Sequence, residues 1–183
     1  PMGVQPYGFF ADISGKVKEA VSIPVSTVGR IISPAMAEQI LASGKADMVG
    51  IGRGLLADPD WTNKAAAGKS CDIRECISCN KGCTDKIQHR EFLSCILNAE
   101  NGYEGTRKII PAESSKHIVI VGGGVAGMEA ARVAVKKGHK VTLFEQKTSL
   151  GGQLELASVP PRKEEMSRFT NYLSHCMKQE GIT

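Results

Sequence analysis

Long apolar runs are missing from these 183 residues, so no segment is expected to span a membrane. Aromatic residues are scarce, with one Trp, three Tyr and five Phe, and no basic stripe is interleaved with them. A nucleic-acid partner is therefore excluded, and the modest net charge of +4, mixed along the chain, points the same way. There is no charged start followed by an apolar core and a cleavage site, so no secretory signal is read. Internal repeats and low-complexity tracts are absent, which removes solenoids and disordered linkers. What remains is ordinary globular composition, 42% hydrophobic and 23% charged. Cysteine is not scarce. Six cysteines without a signal imply a reducing, cytoplasmic setting, where clustered thiols bind metal more often than they pair as disulfides. The opening residues 1–10 read as a loop. The final Gly181-Ile182-Thr183 stop where a helix should hand over to another strand, so the chain reads as a piece of something longer.

Three stretches differ in pattern. Residues 1–68 alternate helix and strand. Ile13, Val17, Ala20 and Val21 have helical spacing, and residues 23–28 read as a buried strand ending at Gly29-Arg30. Ser33-Pro34 starts a helix that stops at Gly44. Residues 46–51 form a second buried strand ending at Gly52-Arg53, and Asp58-Pro59 starts a helix ending at Gly68. Continuous apolar strands alternating with helices predict a parallel sheet and an α/β class. Residues 69–112 break the pattern, hold five of the six cysteines and need something other than a core to hold them. Residues 113–183 return to α/β. A strand over 117–121 leads to a helix over 127–137 closed by Gly138, then a strand over 140–145, a loop, and a polar helix over about 162–180.

The cysteines Cys76, Cys79, Cys83 and Cys95 follow the spacing C-x2-C-x3-C-x11-C. Two cysteines two residues apart can turn both sulfurs toward one centre, and Gly82 permits the bend that brings the third. Four thiolates on one cubane are the usual [4Fe–4S] arrangement. Zinc also takes four cysteines, normally from two C-x2-C knuckles, so spacing leaves both metals open. Cys71 and Cys176 read as small apolar residues, and His89 as a solvated loop residue.

The run from His117 to Gly127 is strand, turn, helix, with Gly122, Gly124 and Gly127 in G-x-G-x-x-G. Gly122 allows the tight turn, Gly124 lets a pyrophosphate approach the backbone, and Gly127 lets helix and strand pack closely. Glu145, eighteen residues after Gly127, ends the next strand and is placed to accept a hydrogen bond from an adenosine ribose. Those residues leave FAD and NAD open. At the other end of the chain, Gly29-Arg30 and Gly52-Arg53 each follow a strand. There a glycine backbone and an arginine fork suit a phosphate, or the arginines simply line a solvated rim.

Taken together and in this order, these motifs resemble the iron–sulfur flavoenzyme branch of the old yellow enzyme family: bacterial 2,4-dienoyl-CoA reductase, 2-enoate reductase and trimethylamine dehydrogenase. Residues 23–31 are similar to its seventh barrel strand, and 46–53 with Leu56-Ala57-Asp58-Pro59 to its eighth. Residues 76–83 with Cys95 and Asn98 are similar to its cluster segment, although Ala99 stands where the family usually has Pro. Residues 121–127 and 143–153 are similar to its FAD domain, and Gly151-Gly152-Gln153 favours FAD by that resemblance. The resemblance implies the C-terminal end of a (β/α)8 TIM barrel over 1–68, an iron–sulfur segment over 69–112 and the start of a Rossmann-like FAD-binding domain over 113–183. It implies FMN held by Gly29, Arg30, Gly52 and Arg53. FAD would be held by Gly122, Gly124, Ala126, Gly127, Glu145, Gly152 and Gln153, and a [4Fe–4S] cluster by the four cysteines. NAD(P)H would reduce FAD, and electrons would pass through the cluster to FMN and on to an activated C=C bond of an unsaturated acid, acyl-CoA or enone. Amine oxidation and a non-catalytic electron-transfer subunit are the alternatives. The family's proton donor and substrate pocket sit on earlier strands, so no catalytic acid is named. Two strands cannot close a barrel, so the isolated chain is expected to fold poorly and to expose apolar strand faces.

Overall fold

The computed structural model describes residues 5–182, so the first four residues of the expected opening loop, and Thr183 at the other end, lie outside it. The chain is α/β and divides into two compact units, Pro1–Asn101 and Gly102–Thr183. No helix among the described residues is long and apolar enough to cross a membrane.

In the first unit, helix α1 (Ala11–Ala20) precedes strand β1 (Ser26–Thr27), helix α2 (Pro34–Ala42) and strand β2 (Met48–Val49). The two strands are parallel, with Ser26 opposite Met48 and Thr27 opposite Val49. Helix α2 starts as its sequence dictates. Ser33 Oγ accepts the Met36 N–H at 3.3 Å, Pro34 sits at the first helical position, and Gly44 leaves at φ +71°. Ala11, Ile31, Ala37, Ile40, Ala46, Trp61 and Ile73 form the core. Beneath the strands, the Ser14 hydroxyl donates to Thr27 Oγ1 at 2.8 Å, and both residues are buried. Asp47 ties α1 to the strand entry by accepting from Lys18 Nζ at 2.6 Å and from the Val25 N–H at 2.8 Å.

Three expectations are corrected here. The two strands are short rather than continuous and buried. Thr27 is 2% exposed, but Ile23 is 69% exposed and Val28 and Met48 are also exposed, because only one side of the pair is covered by described residues. Helix α1 has the anticipated period, yet Ala11 and Ser14 face inward while Ile13, Val17 and Val21 are exposed. Gly52-Arg53 is not only a strand end. Arg53 opens a five-residue helix, α3 (Arg53–Ala57).

Helix α4 (Trp61–Ala66) begins later than Asp58-Pro59 suggested, because Asp58 is used as a hub. Its Oδ1 accepts the Asp60 N–H at 3.1 Å, and its Oδ2 accepts Lys64 Nζ at 2.6 Å and the Arg74 N–H at 2.8 Å. Asp58 is 4% exposed and Arg74 is buried too, so the Arg74 N–H loses its acceptor without gaining water if Asp58 is removed. Asp58→Ala is expected to destabilise this unit by about 3 kcal/mol. Urea unfolding followed by the fluorescence of the single Trp61 reads it, and a midpoint equal to the parent's would refute the hub.

The cysteine segment has little regular structure: a 3-10 turn (Ser70–Asp72) and helix α5 (Thr84–Gln88). It is nevertheless anchored by the protein itself. Ile73, Ile77 and Leu97 are buried, Arg74 Nη1 donates to Leu97 O at 2.6 Å, and Asn98 Nδ2 donates to Leu56 O at 3.1 Å. The Ser94 N–H donates to Gly82 O at 2.7 Å, and a Cβ on Gly82 would stand 2.6 Å from Ser94 O.

The second unit contains strand β3 (His117–Val121), helix α6 (Val125–Lys136), strand β4 (Lys140–Phe144), helix α7 (Gln153–Ala157) and helix α8 (Glu165–Gln179). The strands pair in parallel from His117 opposite Lys140 to Val121 opposite Phe144. Met128, Ala131 and Leu173 are fully buried between α6 and α8. Helix α8, expected as polar, is amphipathic and buries Phe169, Tyr172, Leu173 and Met177. Helix α7 lies in what read as loop. Val121, at 85% exposed, together with Val119 and Phe144, leaves apolar strand surface open.

Candidate functional site

The glycine turn in the second unit is a shaped cradle. Gly122 has φ +103°, a conformation glycine adopts without strain, and a Cβ there or on Gly124 would meet nothing within 4 Å. A Cβ on Gly127 would fall 1.9 Å from the backbone oxygen of Gly122, so helix and turn touch. The open space above Gly122 and Gly124, at the start of α6, fits the close approach of a pyrophosphate. Ala126 lies in the first turn of α6. The Gly151-Gly152 turn joins the cradle: the Gly151 N–H donates to Gly123 O at 2.9 Å, and a Cβ on Gly152 would lie 3.1 Å from Gly124 Cα. Gln153 opens α7 and is exposed.

Glu145 bonds the same turn. Its Oε1 accepts the Lys147 N–H at 2.9 Å and its Oε2 accepts the Gly123 N–H at 2.6 Å. The Lys147 and Gly123 N–H groups hold its carboxyl below the usual carboxylate range. A depressed folded pKa means the bonds contribute in full above the ordinary carboxylate value and are lost as pH falls through the folded one. Ligand retention by the cradle is therefore expected to weaken only in acid, as the pH falls through the depressed folded value of Glu145. Glu145→Gln should remove that acid limb from a flavin-release profile, and an unchanged limb would refute it.

In the first unit, a cavity of about 320 Å³ is lined by Gly29, Arg30, Gly52, Arg53, Cys76 and Ser78 among others. The structure thus brings both Gly-Arg strand ends together with one cysteine. Gly29 has φ +113°, and a Cβ on Gly52 would meet nothing within 4 Å. Arg30 Nη1 donates to Gln5 O, and the guanidinium lies 4.5 Å from the Tyr7 ring centroid. Arg53 Nη1 donates to Asn80 Oδ1. Two guanidinium groups, with open backbone at Gly52 and the Phe9 and Phe10 rings packed against Gly29, fit an anionic phosphate.

The four cysteines are half-buried. Burial pushes the Cys76 thiol up, with Cys79 and Cys83 adding to it while the Ser78 N–H and the Arg53 charge oppose it. Burial likewise raises Cys95, against the Leu97 and Asn98 N–H groups, and it senses Cys76 and Cys79. Cys79 is thus a shared neighbour of Cys76 and Cys95. Among the described residues, no three Cys, His, Asp or Glu side chains converge closely enough for a single ion. Cys71 is exposed, which corrects its reading as a small apolar residue, whereas Cys176 is half-buried on α8. His89 is exposed, with Nδ1 2.9 Å from Asp85 O.

Sequence reasoning passed over three residues here. A Cβ on Gly123 would meet Leu150 Cδ2 at 2.4 Å, so that side chain would have to give way, whereas Gly151, already noted, is held to glycine by φ +132° and by Thr170 Cγ2 2.6 Å from its Cβ position. Ser78 (φ +53°) and Asn80 (φ +63°) make left-handed bends between the cysteines. Asparagine is a known signal for such a bend, but serine is not.

Comparison with known proteins places both halves. The family model described as NADH:flavin oxidoreductase / NADH oxidase family matches residues 9–72, and that described as FAD dependent oxidoreductase matches residues 117–179. A bilirubin reductase from Mediterraneibacter gnavus is 60% identical over 178 residues, covering 97% of this chain and 28% of the relative. A metal reductase from Desulforamulus reducens is 42% identical over 177 residues, covering 97% of this chain and 26% of the relative. A solved 2-naphthoyl-CoA reductase in complex with 2-naphthoyl-CoA superposes with a TM-score of 0.94 at 30% identity, covering 98% of this chain and 28% of that one. The chain thus spans little more than a quarter of the length of the curated relatives it matches. With its first half matching the NADH:flavin oxidoreductase / NADH oxidase family and its second the FAD dependent oxidoreductase family, the chain belongs to the FMN, FAD and iron–sulfur branch of the old yellow enzymes.

Proposed function

We propose that this chain is the central part of an NAD(P)H-dependent oxidoreductase in which FAD, a [4Fe–4S] cluster and FMN carry electrons from the nicotinamide to an activated C=C bond of a small conjugated molecule. In this reading the first unit contributes the last strands of an FMN-binding (β/α)8 barrel. The second begins a Rossmann-like FAD domain. Arg30 and Arg53, with the Gly29 and Gly52 backbone, hold the FMN phosphate. Cys76, Cys79, Cys83 and Cys95 hold the cluster. Gly122, Gly124, Gly127 and the Gly151-Gly152 turn hold the FAD pyrophosphate, and Glu145, with each oxygen already accepting one backbone N–H, accepts the adenosine ribose hydroxyl on a remaining lone pair.

The observation that carries the reading is that Cys76 lines the same cavity as both Gly-Arg strand ends. A one-electron carrier has to lie close to the flavin it serves, and that shared wall supports such adjacency. The 60% identity to a bilirubin reductase makes a linear tetrapyrrole the first substrate class to try, ahead of enoates and dienoyl-CoA esters. The test is anaerobic expression of the full-length parent, with iron, acid-labile sulfide, zinc and released-flavin analysis. Nicotinamide-dependent reduction of bilirubin, an enoate and a dienoyl-CoA ester follows. Iron with matching sulfide, FMN and FAD are expected. Zinc in place of iron, or no FMN, would sink the electron chain.

A further inference from the structure

Arg53 has two neighbourhoods. It stands at the start of α3, a short helix fixed by the buried Ala57, by the Asp58 N–H donating to Gly54 O at 2.8 Å, and by Asn98 Nδ2 on Leu56 O. From that mount the guanidinium lines the cavity beside Cys76 and also donates to the side-chain oxygen of Asn80. Asn80 follows Cys79 directly, sits in a left-handed bend at φ +63°, and accepts the Asp85 N–H on its backbone oxygen at 2.9 Å. The bend that carries the chain from the second cysteine toward the third is therefore gripped at its side chain by Arg53 and at its backbone by α5.

We propose that Arg53 is a positioning residue for the cysteine loop, acting through Asn80, and that its charge raises the reduction potential of the cluster held by Cys76, Cys79, Cys83 and Cys95; this rests on the function proposed above. The electrostatics follow from the partners. Asn80 is neutral, and no carboxylate among the described residues pairs with Arg53, so the only anion set against its charge on the cavity side is the FMN phosphate it shares with Arg30 in the proposed function. A guanidinium does not lose its proton in proteins. A cluster on four thiolates is already anionic, and an added electron is stabilised by a nearby cation more than the oxidised state is.

The test is a redox titration of the cluster in the full-length parent, followed by electron paramagnetic resonance, alongside Arg53→Gln, Arg53→Lys and Asn80→Gly. Arg53→Gln is expected to lower the reduced-to-oxidised ratio at fixed potential about tenfold, about 59 mV for a one-electron couple. Arg53→Lys keeps the charge but not the planar fork, so its midpoint should fall less. Asn80→Gly keeps the left-handed bend and loses the acceptor, so its midpoint should also fall, with faster iron loss to a chelator. An iron-replete Arg53→Gln protein with the parent's midpoint overturns this proposal alone. If Arg53→Gln cannot retain iron, parent-like midpoints in both Arg53→Lys and Asn80→Gly overturn it instead. A parent without iron overturns the proposed function, and this inference with it.

Discussion

Cys95→Ser in the full-length parent is expected to lose nearly all iron and sulfide, with nicotinamide-dependent substrate reduction falling on the order of 100-fold or more. Cys95 is the informative cysteine because its neighbours hold the segment without it. The Ser94 N–H on Gly82 O, Arg74 Nη1 on Leu97 O and Asn98 Nδ2 on Leu56 O all survive the substitution. A hydroxyl replaces a sulfur of nearly the same shape, so what is lost is a soft ligand rather than a fold. FAD content should stay at the parent's level, since the glycine cradle lies within the other compact unit. Cys71→Ser supplies the contrast. That thiol is exposed and outside the quartet, and its loss should leave iron untouched. Full iron content in Cys95→Ser, measured with Cys71→Ser beside it, would remove Cys95 from the ligand set.

The second large effect belongs to the glycine turn. Gly127→Val puts a Cβ 1.9 Å from Gly122 O, and both the turn and the start of α6 are backbone that cannot swing aside. Relief requires α6 to move away from β3, which disturbs the burial of Met128 and Ala131. A loss of about 3 kcal/mol or more is expected, read as a lower unfolding midpoint together with loss of FAD. Gly124→Ala separates the two causes. Its Cβ meets nothing, and φ −73° with ψ 178° suits any residue. The unfolding midpoint of ligand-free Gly124→Ala should therefore match the parent's, while FAD affinity falls. Equal unfolding midpoints for Gly127→Val and Gly124→Ala would contradict the packing argument.

The features legible in the sequence are those with local causes. Ser33-Pro34 caps a helix by its own hydroxyl, Gly44 and Gly138 end helices with positive φ, and 117–121 is strand because period and flanks agree. The glycine turn was legible because three glycines and an acid each carry a separate steric or hydrogen-bonding reason. Features arising from distant partners were not legible. Asp58 looks like a helix start until Arg74, sixteen positions on, takes its second oxygen. Arg53 looks like a phosphate ligand alone until Asn80, twenty-seven positions on, accepts from it. The apolar run from Ile23 to Val28 signals a strand longer than the Ser26–Thr27 pair that forms, and it cannot say which side is covered, because that depends on neighbours rather than on period.

The pin between Gly82 and Ser94 has a consequence for how a cluster would be taken up. An excursion running out from Cys83 and back to Cys95 would, as free chain, have to surrender configurational entropy each time its ends met, at a cost that grows only slowly with its length. Here the main chain closes the excursion by itself, through the Ser94 N–H and a contact so tight that only glycine fits opposite it. If Cys95 is a ligand as proposed, the main chain rather than the metal meets the cost of bringing the two ends of the excursion together.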